Sequence, residues 1–191
     1  MTTNTQKGFT LIELAIVLAT ISLVLAVILG ERALLESNRV SDAYSTVESF
    51  KAAAITFRSR TNELPGVSAI SATGNDYSNA YNDTNANRSS IKFFDALRGD
   101  GLIESGTNGE LMENPFGGVY GVVSDAFGNN DGINICLSNV PASAGQVMDY
   151  RYDDGDRGTG AIRAAAGTST TTAEADAYEG NAHTVCVNTD I

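Results

Sequence analysis

An α+β fold, with a long N-terminal helix packed on a small antiparallel sheet, follows from three features of the sequence. An apolar run opens the chain, and an amphipathic stripe of helical period follows it. Beyond Leu64 the pattern changes to short alternating or apolar segments separated by Gly/Asn/Asp turns. Of the 19 glycines, 17 lie after Leu64, so one part of the chain reads as helix and the other as turns and strands. The length of 191 residues suits one domain with an appendage, or two very small domains. With 42% hydrophobic and 18% charged residues, the chain is neither a disordered tail nor a multi-pass membrane protein.

Residues 1–8 are short and polar, with Lys7 as their charge. Phe9 to Leu29 then gives 21 residues that are almost wholly apolar. At 1.5 Å per residue this is about 31 Å of helix, matching a bilayer core of roughly 30 Å. A cleaved secretory signal would have a shorter apolar core and a small-residue site after it, and Leu29-Gly30-Glu31-Arg32 offers none. Glu13 interrupts the run, and a carboxylate there costs about 2.5–3.5 kcal/mol on insertion scales, less near the interface. Position alone leaves open that Glu13 is a snorkelling acid in an ordinary signal anchor.

The helix is expected to continue over residues 31–64. Val40, Ala43, Tyr44, Val47, Phe50, Ala54 and Phe57 recur at spacings of three and four, with Arg39, Asp42, Ser45, Glu48, Lys51 and Arg58 between them. That stripe reads as a core-facing surface under a globular head. Asn62-Glu63-Leu64-Pro65-Gly66 ends the helix, because proline restricts its predecessor and glycine turns the chain. Residues 65–191 form the head. It starts with a polar loop from Gly66 to Ser90 that carries Tyr77 and Tyr81, followed by a short helix, Ile91 to Arg98, closed by Gly99. Val119–Ser124, Ile133–Ser138 and His183–Asn188 are candidate strands; Gln146–Tyr152 fits either helix or strand, and Thr168–Ala177 reads as exposed connection.

Lys7-Gly8-Phe9-Thr10-Leu11-Ile12-Glu13-Leu14, ahead of an uninterrupted apolar helix, resembles the class III signal of type IV prepilins and type II secretion pseudopilins. The resemblance is strong over residues 1–30 and covers the remainder only by architecture. It implies a pilin-like fold and a division into a cytoplasmic leader (1–8), a transmembrane and filament-core helix (9–30), its amphipathic continuation (31–64) and a periplasmic or extracellular head (65–191). It also implies that a prepilin peptidase/methyltransferase cuts after Gly8 and N-methylates Phe9. Glu13, the carboxylate of the segment, would pair with the new amine of Phe9 to admit and align each subunit, since an unpaired buried ion costs several kcal/mol. The implied partners are related subunits in a helical filament, an inner-membrane assembly platform and a separate cytoplasmic ATPase, because the chain has no P-loop of its own. The implied location is the bacterial inner membrane before assembly, then a pilus or a periplasmic pseudopilus. Many members carry a proline within the helix; this chain has none between Phe9 and Leu64.

Charge and cysteine usage bear on the head. The formal net charge is −11, and beyond residue 61 six basic residues face eighteen acidic ones, which argues against nucleic-acid binding by the head. Two cysteines, Cys136 and Cys186, would meet an oxidising periplasm in a head exported this way, where an even count favours a disulfide. Buried thiols or a metal pair are the alternatives. Members on the pilin side of the resemblance often carry one such C-terminal bridge, whereas many major pseudopilins lack it. Asp153, Asp154 and Asp156 are a candidate Ca²⁺ cluster, against the plainer reading of a solvated turn, and they lack EF-hand spacing. His183 is the single histidine, with no nucleophile motif to serve. The readings are therefore a non-enzymatic pilus subunit, a type II secretion pseudopilin, and, from other classes, a signal-anchored periplasmic binding module or an anchored hydrolase using His183.

Overall fold

The computed structural model describes residues 9–66, 89–104, 106–124, 126–128, 132–167, 178, 180 and 182–191, without the side chains of residues 27–34, 89, 124 and 128. The expected leader, the polar loop with Tyr77 and Tyr81, and the Thr168–Ala177 connection lie outside the described residues, apart from Gly66 and the Ser89-Ser90 end of the loop. The chain divides into two units, Met1–Asn38 and Arg39–Ile191.

The helix α1 runs over Leu11–Thr61 and contributes to both units. In the first unit its large apolar side chains from Leu11 to Leu25 are all exposed, with no amphipathic stripe. Among the described residues no helix is long and apolar enough to cross a membrane; the expected span, Phe9–Leu29, ends among side chains outside them. In the second unit α1 becomes amphipathic as the spacing predicts. Val40, Ala43, Val47, Phe50, Ala53 and Ala54 are buried, Tyr44 and Phe57 are half-buried, and Arg39, Asp42, Ser45, Glu48 and Arg58 are exposed. Asn62, with φ 58°, takes the left-handed conformation that ends a helix, and its N–H donates to the Arg58 carbonyl at 2.8 Å. Gly66, with φ 76°, then passes the backbone of Lys92 so closely that a Cβ would stand 2.6 Å from its carbonyl carbon.

The helix α2 spans Ser89–Gly99 and buries Ile91, Phe93, Phe94 and Leu97. Strand β1 is Tyr120–Ser124, β2 is Ile133–Val140, helix α3 is Ala142–Tyr152, β3 is Ile162–Ala166 and β4 is His183–Asn188. The sheet is antiparallel throughout, in the order β1-β2-β4-β3. Three of its strands are those the alternation predicts, and Gln146–Tyr152 resolves as helix. Strand β3 is the one that sequence reading passed over. Its Ile-Arg-Ala-Ala-Ala run has weak strand propensity, and pairing with β4 from Ile162↔Val187 to Ala166↔His183 decides it.

One face of the sheet carries the main core. Tyr120, Val122, Ile135, Leu137, Ile162, Ala164, Val185 and Val187 join the buried stripe of α1 and the apolar sides of α2 and α3. Phe50 sits at its centre, edge-on to Phe94 at 5.1 Å and to Tyr120 at 5.3 Å between centroids. Such contacts add about 0.5–1.5 kcal/mol each beyond area burial. Ser90 stitches α2 to β1: its hydroxyl donates to the Val122 carbonyl at 3.0 Å and accepts from the Val122 N–H at 2.8 Å. The opposite face has a smaller cluster of Val123, Ala126, Phe127, Cys136, Ala165 and Cys186.

Candidate functional site

The first turn of α1 is built around Thr10 and Glu13. The Thr10 N–H and hydroxyl both donate to Glu13 Oε2, at 2.9 and 2.8 Å, and the Glu13 N–H donates to Thr10 Oγ1 at 3.3 Å. This is a capping box, in which threonine and a glutamate three residues later satisfy each other's backbone donors at a helix N-terminus. Glu13 thus has a local task inside its own chain, in addition to any task between chains. Sequence reading attended to the charge of Glu13 and missed its partner, although the signal, Thr10-Leu11-Ile12-Glu13, is legible. Phe9 stands just before the helix and is 88% exposed. Gly8 lies outside the described residues.

In the head, Cys136 and Cys186 are bridged. They are register partners on β2 and β4, both fully buried, so the bridge ties the two central strands across fifty residues of sequence. Phe127 lies in the cluster around it, in a 3-10 turn, Ala126–Gly128, at φ 63°. A non-glycine residue in that left-handed region costs of order 1 kcal/mol, which burial of the ring offsets. Sequence spacing gave no sign that an aromatic side chain would share the buried cluster of the bridged cysteines.

The acidic turn after α3 is arranged differently from the expectation. The carboxylates that come together are Asp149, Asp153 and Asp154, with ligand-capable oxygens within 4.8 Å of one another; Asp156 is not among them. Each is already engaged. Asp149 Oδ1 accepts from the Gly155 N–H at 3.0 Å and Oδ2 from the Tyr178 hydroxyl at 3.0 Å. Asp153 Oδ2 accepts from the Ile162 N–H at 2.7 Å, holding the start of β3, while Asp154 accepts from the Asp156 N–H and the Thr159 hydroxyl. Asp156 Oδ1 caps the turn at the Gly158 N–H. Burial pushes Asp149 above the usual carboxylate range, with the charges of Asp153 and Asp154 adding to the effect and its two hydrogen bonds opposing it. The bonds that Asp154 accepts from Asp156 and Thr159 hold it below that range. Both oxygens of Asp149 and Asp154 and one of Asp153 thus serve the folding of the turn, and Asp149, buried in α3, was hidden from sequence reading within a segment that fits either helix or strand.

His183, expected in a strand or at the surface, is fully buried at the start of β4, with Nε2 3.2 Å from Arg157 Nη1. Among the described residues there is no free cysteine to serve as a nucleophile beside it.

An N-terminal helix that feeds one amphipathic half into a four-stranded antiparallel head defines the class as pilin-like α+β. Residues 3–29 match the prokaryotic N-terminal methylation motif, so the chain carries the class III prepilin signal of type IV pilin and pseudopilin subunits. That motif marks a structural, filament-type subunit, and it implies processing by prepilin peptidase, membrane insertion and assembly with other such subunits. No curated protein and no solved structure matches the chain significantly.

Proposed function

We propose that this protein is a structural subunit of a type IV pilus-like filament. It is held in the inner membrane as a single-pass precursor by the helix beginning at Leu11, and its head lies outside the cytoplasm. Prepilin peptidase removes residues 1–8 at the Gly8–Phe9 bond, and Phe9 is then N-methylated. Glu13 neutralises the Phe9 amine of a neighbouring subunit as each copy enters the filament. The observation that carries this reading is the methylation motif over residues 3–29, continuous with a helix whose apolar side chains find no cover within their own unit. An all-exposed apolar helix needs lipid or other helices around it.

A pseudopilin of a type II secretion system is the second reading, and the buried bridge between Cys136 and Cys186 favours the pilus over it. A retraction ATPase encoded nearby would support the pilus, and a secretin with export components the pseudopilus. Intact-mass analysis of protein extracted from membranes tests the processing step. It should show loss of residues 1–8 and gain of one methyl group, and replacing Gly8 by a bulkier residue should leave the precursor uncut. A native chain intact at Met1, in a cell with active prepilin peptidase, would overturn the proposal.

A further inference from the structure

Strand β1 is an edge of the sheet, and the outward hydrogen-bonding groups of an edge strand accept another strand unless something covers them. Its sequence makes that a hazard. Residues 114–124 carry no charge, and Tyr120-Gly121-Val122-Val123-Ser124 is rich in β-branched and aromatic side chains. Laid antiparallel on a second copy, with Val122 opposite Val122 and Tyr120 opposite Ser124, the strand is its own complement.

The chain closes this edge by two contacts. The Tyr120 N–H donates to the Met112 carbonyl at 2.8 Å, next to an isolated bridge between Glu113 and Val119. At Val122, the middle residue, a side chain takes the place of a strand. The Ser90 hydroxyl, buried at the start of α2, accepts from the Val122 N–H at 2.8 Å and donates to the Val122 carbonyl at 3.0 Å. A hydroxyl donates and accepts at once, so it stands in for both backbone atoms of a neighbouring strand residue. The opposite edge is closed differently. In β3 the Ile162 N–H donates to Asp153 Oδ2 at 2.7 Å and the Ala164 N–H to the Arg157 carbonyl at 2.9 Å. That strand also carries Arg163 and a run of alanines, which pair poorly with a copy of themselves. The seal at Val122 thus sets one uncharged hydroxyl against a strand with a high pairing tendency.

We propose that Ser90 guards the β1 edge, holding shut a strand-addition site whose occupant would be β1 of a second copy of this chain. The occupant follows from the charge-free, self-complementary strand, while a net charge of −11 opposes other close approaches of two copies. Nothing in this contact depends on filament formation. In the filament proposed above, however, heads meet at high local concentration, where an open edge would join them out of place.

The test compares Ser90→Ala, Ser90→Thr and Val185→Ala with the wild type, as full-length chains in detergent at equal concentration. Residue-resolved hydrogen–deuterium exchange of the fresh monomers comes first, and thioflavin T fluorescence then follows association. Ser90→Ala should speed exchange of the Val122 amide roughly tenfold in the monomer, because its hydrogen-bond partner is gone. On standing, it should gain fluorescence at least about tenfold faster than the wild type, with the Val122 amide protected again in the associated form. Ser90→Thr keeps the hydroxyl and should match the wild type. Val185→Ala truncates the core on β4 and leaves the β1 edge closed, so it should stay unassociated. Association of Ser90→Ala no faster than that of the wild type or of Val185→Ala would overturn the proposal. So would associated chains in which the Val122 amide stays open. A Ser90→Ala chain that cannot fold would make the hydroxyl a requirement for folding instead of a guard, and would overturn it too.

Discussion

The two stretches of α1, Leu11–Leu25 and Val40–Phe57, share a helix and differ in where their apolar surface goes. In the first, Leu11 is 88% and Leu23 71% exposed; in the second, Val40 and Val47 are fully buried. Apolar residues surround the first stretch on every side and form one stripe on the second. The first finds no cover among the described residues of its own unit, which the proposed function supplies as lipid or other subunits, and the second finds cover within the head. Folding stability resides in the unit Arg39–Ile191, and the proposed function places assembly in the start of the helix, so substitutions in one should leave the other's readout unmoved.

The largest effect is expected from Glu13→Gln. It keeps size and hydrogen bonding but removes the charge that would neutralise the Phe9 amine, leaving an ammonium to be buried at a cost of several kcal/mol. Filaments counted at equal subunit levels should fall at least tenfold, since each 1.4 kcal/mol is about a factor of ten. Processing and the melting temperature of the head should be unchanged. Normal filament numbers would remove the charge pair from the mechanism and leave the processing reading intact.

Phe50→Ala probes the other side of the comparison. The ring fills the centre of the core against Phe94 and Tyr120, and its loss should cost the head about 3–5 kcal/mol in denaturant unfolding. Mass analysis should still find the chain cut and methylated. A variant that is destabilised and also uncut would mean that the two units are not separable in this way.

Replacing Cys136 and Cys186 together by serine should cost about 2–4 kcal/mol, because the bridge closes a loop of about fifty residues in the unfolded chain. Non-reducing peptide mapping of the native protein should first find the linked pair and no free thiol. A double variant as stable as the wild type would show that the main core alone sets the stability of the sheet.

Thr10→Val removes the capping hydroxyl and keeps the shape. It should cost the first turn of α1 about 1 kcal/mol, read as roughly fivefold faster amide exchange there in detergent, with no change in the head. The smallest effect is expected from calcium. Because Asp149, Asp153 and Asp154 already accept hydrogen bonds from the turn, millimolar calcium should shift the melting temperature of the full chain no more than magnesium does. A calcium-specific rise that Asp153→Asn abolishes would make the turn a cation site.

The sequence by itself determined what depends on near neighbours along the chain. The apolar run, the stripe from Val40 to Phe57, its stop at Asn62 and the strands with clean alternation were all legible, because helix and strand periods are local properties. So was the processing motif, whose residues act within one short segment. The capping partner of Glu13 was equally legible, since Thr10 stands three residues before it. What only the tertiary structure decided depends on contacts between segments far apart in sequence. Pairing with β4 made a strand of the alanines of β3, against their local preference. The gathering of Phe127 into one buried cluster with the bridged cysteines, the replacement of Asp156 by Asp149 in the carboxylate cluster, and the approach of Arg157 to His183 each join residues that no spacing relates. Their energies come from burial and from desolvated hydrogen bonds, and these exist only once the sheet and α3 have come together.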